Sequence, residues 1–392
     1  MKIELFSRII LITVLEIGAE SANILVVNSM PSYSHFIIPF KLTKELASRG
    51  HHVTSINAYP QRTKLPNYTD VPVVENIPLI EDIQIFRNEA KNVCQRIERY
   101  VQDAEMVQVL YNTSLMLTNS HVSVSGAIPL VPSIIEIGGL HVTTKRLPDD
   151  LQTFLDNAVE GVIVFSMGSN LKCEDLKLET RESILKAFSK IKQKVLWKYE
   201  SNLPDTPENV KISPWLPQQD VLAHPNVKVF VTHGGRLSTI EAIYFGVPLV
   251  GIPVFGDQLS NIATAAADGY AVKINLEELS EQTLSSALNE VLTNPRYKEA
   301  AQERSNLLHD QLLTPMESAI FWVEHVIRHR GAPHLKTAGV DLKWYQREMV
   351  DVIVFLLAVV TIMVFVICIV LKKLWYILNH SENVTTPKKK IQ

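Results

Sequence analysis

The chain has 392 residues, 46% of them apolar and 20% charged, with a net charge of −3 and three cysteines. That length exceeds one ordinary domain, the apolar share suits a large core, and the near-neutral balance argues against nucleic acid or an anionic membrane surface as the main partner. Three cysteines exclude a disulfide framework: Cys368 falls in an apolar span, and Cys94 and Cys173 are read as two buried thiols rather than a bridge.

Residues 1–22 read as a secretory signal. Lys2 and Arg8 bracket a positive start, residues 9–15 are apolar, and Gly18-Ala19-Glu20-Ser21-Ala22 offers small residues for cleavage. The alternative is a first strand or helix of the mature fold; the apolar strand that begins directly afterwards favours removal. That strand is Asn23-Ile24-Leu25-Val26-Val27-Asn28, followed by a helix with Phe36, Ile37, Phe40, Leu42 and Leu46 on its apolar side. The helix closes at Arg49-Gly50, and residues 51–56 form the next strand, with His51-His52 expected to be partly exposed at its start. This β–α–β opening starts a Rossmann-like lobe. His35 stands at the mouth of the helix, beyond the carboxyl end of the first strand, where ligand sites of open α/β sheets lie.

Residues 60–80 are polar and proline-rich and carry the sequon Asn67-Tyr68-Thr69; residues 81–109 are charged and helical. A second sequon, Asn112-Thr113-Ser114, precedes strands at 114–120 and 133–139. No apolar strand run is legible between residues 56 and 115. The first lobe, residues 23–140, therefore shows about four strands where a full Rossmann-like lobe has at least five.

The second lobe, residues 141–349, is complete. Strands are expected at 161–166, 194–199, 210–213, 227–232, 248–252 and 269–274, with helices at 180–190, 259–267, 283–292, 297–309 and 317–330. The last of these is expected to pack back on the first lobe. His325 and His329 have a metal-like i, i+4 spacing, but Arg328 and Arg330 beside them mark a surface face, and no metal is expected. Residues 352–371 are about twenty apolar residues without a charge, enough for a helix to span a bilayer, within a membrane segment set at 350–371. Lys372-Lys373 and Lys388-Lys389-Lys390 follow, which places the tail, residues 372–392, in the cytosol and the body in the lumen as a single-pass type I protein. Lys389-Lys390-Ile391-Gln392 matches the dilysine retrieval signal of endoplasmic-reticulum membrane proteins; the alternative is a solvated charged tail. The Asn383 sequon would then be cytosolic and unmodified.

Residues 214–258 carry the functional signal. A buried strand ends in His233-Gly234-Gly235, a helical run follows, then a second apolar strand and the pair Asp257-Gln258. Strand, glycine turn and helix in that order present backbone N–H groups to a phosphate. Glu241, about a turn and a half into the helix, is placed to reach a ribose. Phe230-Val231-Thr232-His233-Gly234-Gly235, Ser238, Glu241, Pro248, Pro253 and Asp257-Gln258 resemble, in order and spacing, the signature of the UDP-glycosyltransferases. That family contains the UDP-glucuronosyltransferases and their UDP-glucose-using relatives. The Gly235-Arg236-Leu237-Ser238-Thr239 string is closer to its arthropod members.

The resemblance implies an α/β fold of GT-B type: two facing Rossmann-like lobes, the first one shortened here, with the UDP-sugar in the second and a C-terminal transmembrane helix. It implies that Trp215 stacks on uracil, Gln218 meets the base edge or ribose, Glu241 holds ribose hydroxyls, and Asp257 and Gln258 hold the sugar. His233, Gly234, Gly235 and Ser238 form the phosphate cradle, with Ser169 facing them. His35 resembles the general base, an imidazole suited to taking a proton near neutrality. Its orienting carboxylate in the family has no clear counterpart among Asp70, Asp82 and Asp103. The implied reaction is inverting transfer of a hexose, glucose before glucuronic acid, to a hydroxyl of a small lipophilic acceptor, in detoxification-type conjugation. No cofactor or metal is implied, because the UDP-sugar is a co-substrate. Homo- or hetero-oligomers with relatives are a further expectation. Two other readings stand beside this one: an impaired isoform acting as a UDP-binding regulatory partner of full-length relatives, and a nicotinamide-dependent Rossmann enzyme. The latter is disfavoured by the lack of G-x-G-x-x-G after any strand.

Overall fold

The computed structural model describes residues 11–17, 21–28, 33–61, 63–72, 113–168, 176–201, 203–337, 339 and 342–381. Residues Met1–Leu335 belong to one compact unit and Lys336–Gln392 to a second.

Strand β1 (Leu11–Ile17) runs antiparallel to β2 (Ala22–Val27), with Leu11 opposite Val27 and Ile17 opposite Ala22. Part of the segment read as a leader is thus a strand, and β2 begins inside the range assigned to it. A short apolar run satisfies either role, because both select for the same hydrophobic composition. Helix α1 (Tyr33–Ser48) and β3 (His52–Asn57) complete the expected β–α–β unit; β2 and β3 are parallel, with Asn23 beside His52. His51 differs from expectation. It is buried, its Nδ1 accepting the Ala22 N–H at 3.2 Å.

A strand that the sequence hides follows. β4 (Tyr68–Pro72) lies parallel to β3, so the described sheet of this lobe has the order β1-β2-β3-β4. Its five residues are too few to show a period, and Pro72 ends it at a sheet edge, where a missing N–H is tolerated. The helix expected at 81–109 lies outside the described residues. β5 (Met116–Thr118) and β6 (Ile134–Glu136) pair in parallel around the short α2 (Val122–Ser125). Both strands are shorter than expected.

After the crossover at residues 138–148 comes α3 (Asp149–Asp156), then β7 (Val162–Ser166), α4 (Leu178–Ser189), β8 (Lys194–Lys198) and β9 (Val210–Ser213). The chain continues through α5 (Gln218–Leu222), β10 (Val227–Thr232), α6 (Arg236–Tyr244), β11 (Leu249–Gly251), α7 (Gln258–Ala267) and β12 (Ala271–Lys273). The six strands are all parallel in the order β12-β11-β10-β7-β8-β9. Each expected strand and helix of this lobe is present. Alternation along the strands fills two cores. Val162, Val164 and Phe230 enter one; Ile163, Phe165, Val229 and Val231 enter the other, where Phe165 meets Trp197 edge-on at 5.1 Å. β7 and β10 lie side by side although three strands apart in numbering, so the sheet is wound outward in both directions from that pair. In open α/β sheets this switch point opens a crevice at the carboxyl ends of the two strands.

Helices α8 (Glu281–Thr293) and α9 (Pro295–His309) cover this sheet's remaining elements, and α10 (Pro315–Arg328) returns to the first lobe as expected. A reciprocal Thr314–Glu317 capping box starts α10. Ala319, Ile320, Val323 and Ile327 then share one core with Ile38, Leu42 and Leu46 of α1. At its rim Glu324 lies 3.7 Å from Arg49 and 3.8 Å from His51.

The second unit contains α11 (Trp344–Arg347) and α12 (Val350–Ser381). Residues Val350–Asn379 are long and apolar enough to cross a membrane and are unburied. The helix runs past the expected limit at 371, because Lys372 and Lys373 suit a helix as well as they end an apolar run.

Candidate functional site

The switch point brings together the ends of β7 and β10. β10 runs into His233-Gly234-Gly235 and then α6, whose N-cap is Gly235. The His233 ring is held between two glycines. A Cβ on Gly168, just past β7, would stand 2.6 Å from His233 Cε1, and one on Gly235 2.7 Å from Nε2. Gly168 and Gly234 also have φ of +80° and +81°, and a Cβ on Gly234 would strike Ile262 at 2.3 Å. Only glycine fits all three demands. Burial pushes the His233 imidazole down to about 4, with Asp257 opposing the shift and Lys198 adding to it. The ring is therefore neutral at neutral pH and able to donate a hydrogen bond without bringing a charge.

On α6, Ser238 and Glu241 are both buried. Gln218, the first residue of α5, donates from Nε2 to Ser238 Oγ at 3.0 Å and to Glu241 Oε2 at 2.6 Å. Gln219 donates to Glu241 Oε1 at 2.8 Å, and His141 Nε2 lies 3.3 Å from the same oxygen. Burial pushes the Glu241 carboxyl up, but His141 and the two glutamines outweigh it and hold the group below its ordinary value. Trp215 lies in the loop between β9 and α5 and is 62% exposed. That is too open for a core aromatic, and it leaves an indole surface for a ligand.

Asp257 is the N-cap residue of α7; its Oδ2 accepts Asn261 Nδ2 at 3.0 Å, and the same amide donates to the Gly234 carbonyl at 2.9 Å. Asn261 thereby ties Asp257 to the His233–Gly234 turn. Gln258 is buried, and its Oε1 accepts the Val254 and Phe255 N–H groups at 2.9 and 3.0 Å. Its carbonyl end closes this turn instead of pointing away from it, because two N–H donors there need an acceptor. Ser169 lies outside the described residues.

His35 is exposed in the first turn of α1, its Nδ1 3.3 Å from Ser34 Oγ. Pro39, four residues on, has no N–H to donate to the His35 carbonyl, which loosens the helix at this point. Asp70 is held elsewhere: Oδ1 accepts Asn57 Nδ2 at 2.7 Å and Oδ2 accepts the Gln61 N–H at 2.9 Å. Asp82, Asp103, Cys94 and Cys173 lie outside the described residues, as does the Asn112 sequon. Asn67 is exposed in a left-handed turn with φ of 55°. Among the described residues no group of three His, Cys, Asp or Glu is arranged to hold a metal. His325 and His329 instead meet His334, with 3.0 Å between the Nε2 atoms of His325 and His334.

Five residues around the site escaped the sequence reading. Gly168 had a signal, a glycine directly after a buried parallel strand. Asn261 had a weaker one, an amide four residues after Asp257. Gln219, His141 and Lys41 had none, since their roles depend on where the crossover meets α5 and α1.

A family model described as "UDP-glucoronosyl and UDP-glucosyl transferase" matches residues 74–384. UDP-glycosyltransferase UGT5 of Dactylopius coccus is 41% identical over 318 residues, which is 79% of this chain and 59% of that protein. UDP-glucuronosyltransferase 2B13 of Oryctolagus cuniculus is 43% identical over 264 residues, 67% of this chain and 49% of that one. The chain thus spans about half to three-fifths of the length of these curated relatives. Among solved structures, the glycotransferase of kitacinnamycin superposes with a TM-score of 0.57 at 18% identity, covering 79% of this chain and 99% of that one. The calicheamicin glycosyltransferase CalG4 gives a TM-score of 0.56 at 15% identity. These two share the fold, an α/β fold of GT-B type with two Rossmann-like lobes. With its match across residues 74–384 and its glycine-held His233 at the switch point, the chain belongs to the UDP-glucuronosyl and UDP-glucosyl transferase family.

Proposed function

We propose that this chain is an inverting UDP-glycosyltransferase that moves a hexose, glucose before glucuronic acid, to a hydroxyl of a small lipophilic acceptor. The observation that carries the reading is the neutral His233 ring packed between Gly168 and Gly235 at the head of α6. Oriented N–H groups at a helix start favour an anion by up to about 2 kcal/mol in a partly buried setting. His233, Gly234, Gly235, Ser238 and Ser169 take the diphosphate, Trp215 the uracil, and Gln218 and Glu241 the ribose. Asp257 and Gln258 take the sugar hydroxyls.

The acceptor oxygen attacks C1 of the α-linked sugar as the C1–O bond to the β-phosphate breaks. UDP leaves with the bonding pair, the acceptor proton passes to His35, and a β-glycoside results. Charge forming on the departing diphosphate meets the His233 N–H and the start of α6, so no metal is required.

The chain acts as an endoplasmic-reticulum enzyme of detoxification-type conjugation, anchored by α12 with the body lumenal, glycosylated at Asn67 and Asn112, and retrieved by its dilysine tail. Leader cleavage after residue 22 would remove β1 together with Ala22, whose N–H His51 accepts, and leave the rest of β2 as the sheet edge; N-terminal sequencing of the mature chain tests this. Transfer is tested with labelled UDP-glucose and UDP-glucuronic acid over a panel of phenols and alcohols. Glycoside formed with either donor supports the reading. Absence of UDP binding overturns it.

A second reading, a UDP-binding regulatory partner of full-length relatives, draws support from the shortened length and from Asp70 being held by Asn57 and Gln61. UDP binding without glycoside formation on the whole panel would favour it.

A further inference from the structure

The crossover between the lobes places a buried histidine against the carboxylate assigned to the ribose. His141 is fully buried, and its Nε2 lies 3.3 Å from Glu241 Oε1. Among the described residues, neither of its ring nitrogens has an aligned hydrogen-bond partner. A buried polar ring left this way costs free energy, so its presence calls for a functional or structural reason. Among the described residues, that carboxylate oxygen is the one charged atom within ion-pair distance of it.

The position of the ring is set by the backbone around it, not by its own hydrogen bonds. Lys41 on α1 donates to the His141 carbonyl, and to Thr143 Oγ1 at 2.7 Å. Gln219 clamps the same strap from the other side, its Oε1 accepting the Thr143 N–H at 3.0 Å and its Nε2 reaching the His141 carbonyl at 3.3 Å. The Lys145 N–H donates to Asp220 on α5. The crossover is thus fastened to both lobes within five residues, of which His141 is the first.

Acceptor capacity shows what the ring can do there. A carboxylate has about four lone-pair positions. Gln218 and Gln219 use one each, and a well-aligned His141 would use a third, leaving one for the two hydroxyls of a ribose. Lying off the hydrogen-bond line, His141 leaves that third position open. It still presents a polar edge that favours the ionised carboxylate.

We propose that His141 is a positioning residue for nucleotide recognition, holding Glu241 ionised and aimed so that its open lone pairs receive the ribose 2′- and 3′-hydroxyls. This rests on the reading that Glu241 binds the ribose. The fastening through Lys41 makes that aim depend on α1, the helix that carries His35.

The test compares UDP with 2′,3′-dideoxy-UDP by titration calorimetry on the full chain in detergent, for wild type, His141→Leu and His141→Gln. In wild type UDP binds roughly tenfold or more tighter than the dideoxy analogue, because two hydroxyls meet a carboxylate. In His141→Leu that ratio falls to within about threefold, while affinity for the dideoxy analogue stays as in wild type. His141→Gln, with an amide N–H in place of the imidazole, gives a ratio between those of His141→Leu and wild type. A wild-type ratio retained in a folded His141→Leu overturns the proposal. If that variant does not fold, a wild-type ratio in His141→Gln overturns it instead. A wild-type ratio near one, or no UDP binding at all, would instead strike the ribose assignment or the donor site, and is told apart by occurring before any substitution.

Discussion

Replacing Gly168 by alanine tests the central geometry of the site. Gly168 has φ of +80°, where a residue with a Cβ pays about 1–2 kcal/mol. The new Cβ would also stand 2.6 Å from His233 Cε1, against the 3.5–4.0 Å of a comfortable carbon contact. The ring must therefore retreat by about 1 Å, and overpacking of this kind costs a further ~1–3 kcal/mol. A 1 Å misplacement near the reacting atoms lowers turnover by as much as about 10²-fold. Gly50→Ala supplies the control, since Gly50 has φ of +97° but nothing within 4 Å of its added Cβ. Chemical denaturation should show both variants destabilised, Gly168→Ala by the larger amount. UDP titration and labelled-sugar transfer should fall in Gly168→Ala alone. Equal losses in the two variants, with UDP affinity unchanged in both, would refute the argument that Gly168 exists to seat His233.

Trp215→Ala should weaken UDP binding by about 1–3 kcal/mol, the value of a base–aromatic stack, yet leave Tm unchanged because the indole is 62% exposed; a Tm drop without loss of UDP affinity would make it a structural residue. His233 takes its proton at about 4 in the folded chain and near 6.5 in the unfolded one. Between those values the unfolded chain binds more protons, so stability falls as pH drops through that window, by up to about 1.4 kcal/mol per unit. His233→Asn should flatten this slope in Tm measured against pH. Ile320→Ala, at a 2% exposed position where α10 meets α1, should cost about 2–5 kcal/mol by denaturation. Glu324→Ala removes only rim ion pairs, to Arg328, Arg49 and His51 at 3.5, 3.7 and 3.8 Å, and should cost under about 1 kcal/mol; the opposite order would show that charge rather than packing holds α10.

The second lobe was legible because its strands are buried on both faces and so appear as unbroken apolar runs such as Val162–Ser166, each bounded by glycine or polar residues. The placing of His233, Glu241 and Asp257 around the switch point was legible for a related reason, each following such a strand at a short spacing. The first lobe was harder to read. β4 is five residues long and has a proline, so no period could announce it. His51 looked like a solvated strand start, and only the Ala22 N–H and Glu324 explain its burial. The inward carbonyl of Gln258 and the contact of His141 with Glu241 join residues through turns and a crossover, and hydrophobic pattern carries no information about either.

The return of α10 has a bearing on how the molecule is made. Leu42 and Leu46 leave the ribosome early, but Ile320 and Val323, which share their core, follow some 270 residues later. At about 5–20 residues per second, the first lobe waits roughly 15 to 55 s with one side of α1 uncovered. Its folding is therefore completed by a segment translated after every strand of the second lobe's sheet. A ribosome that stalls before residue 320 leaves the sheet of the second lobe with all its strands and α1 with an apolar face open to whatever else is in the compartment.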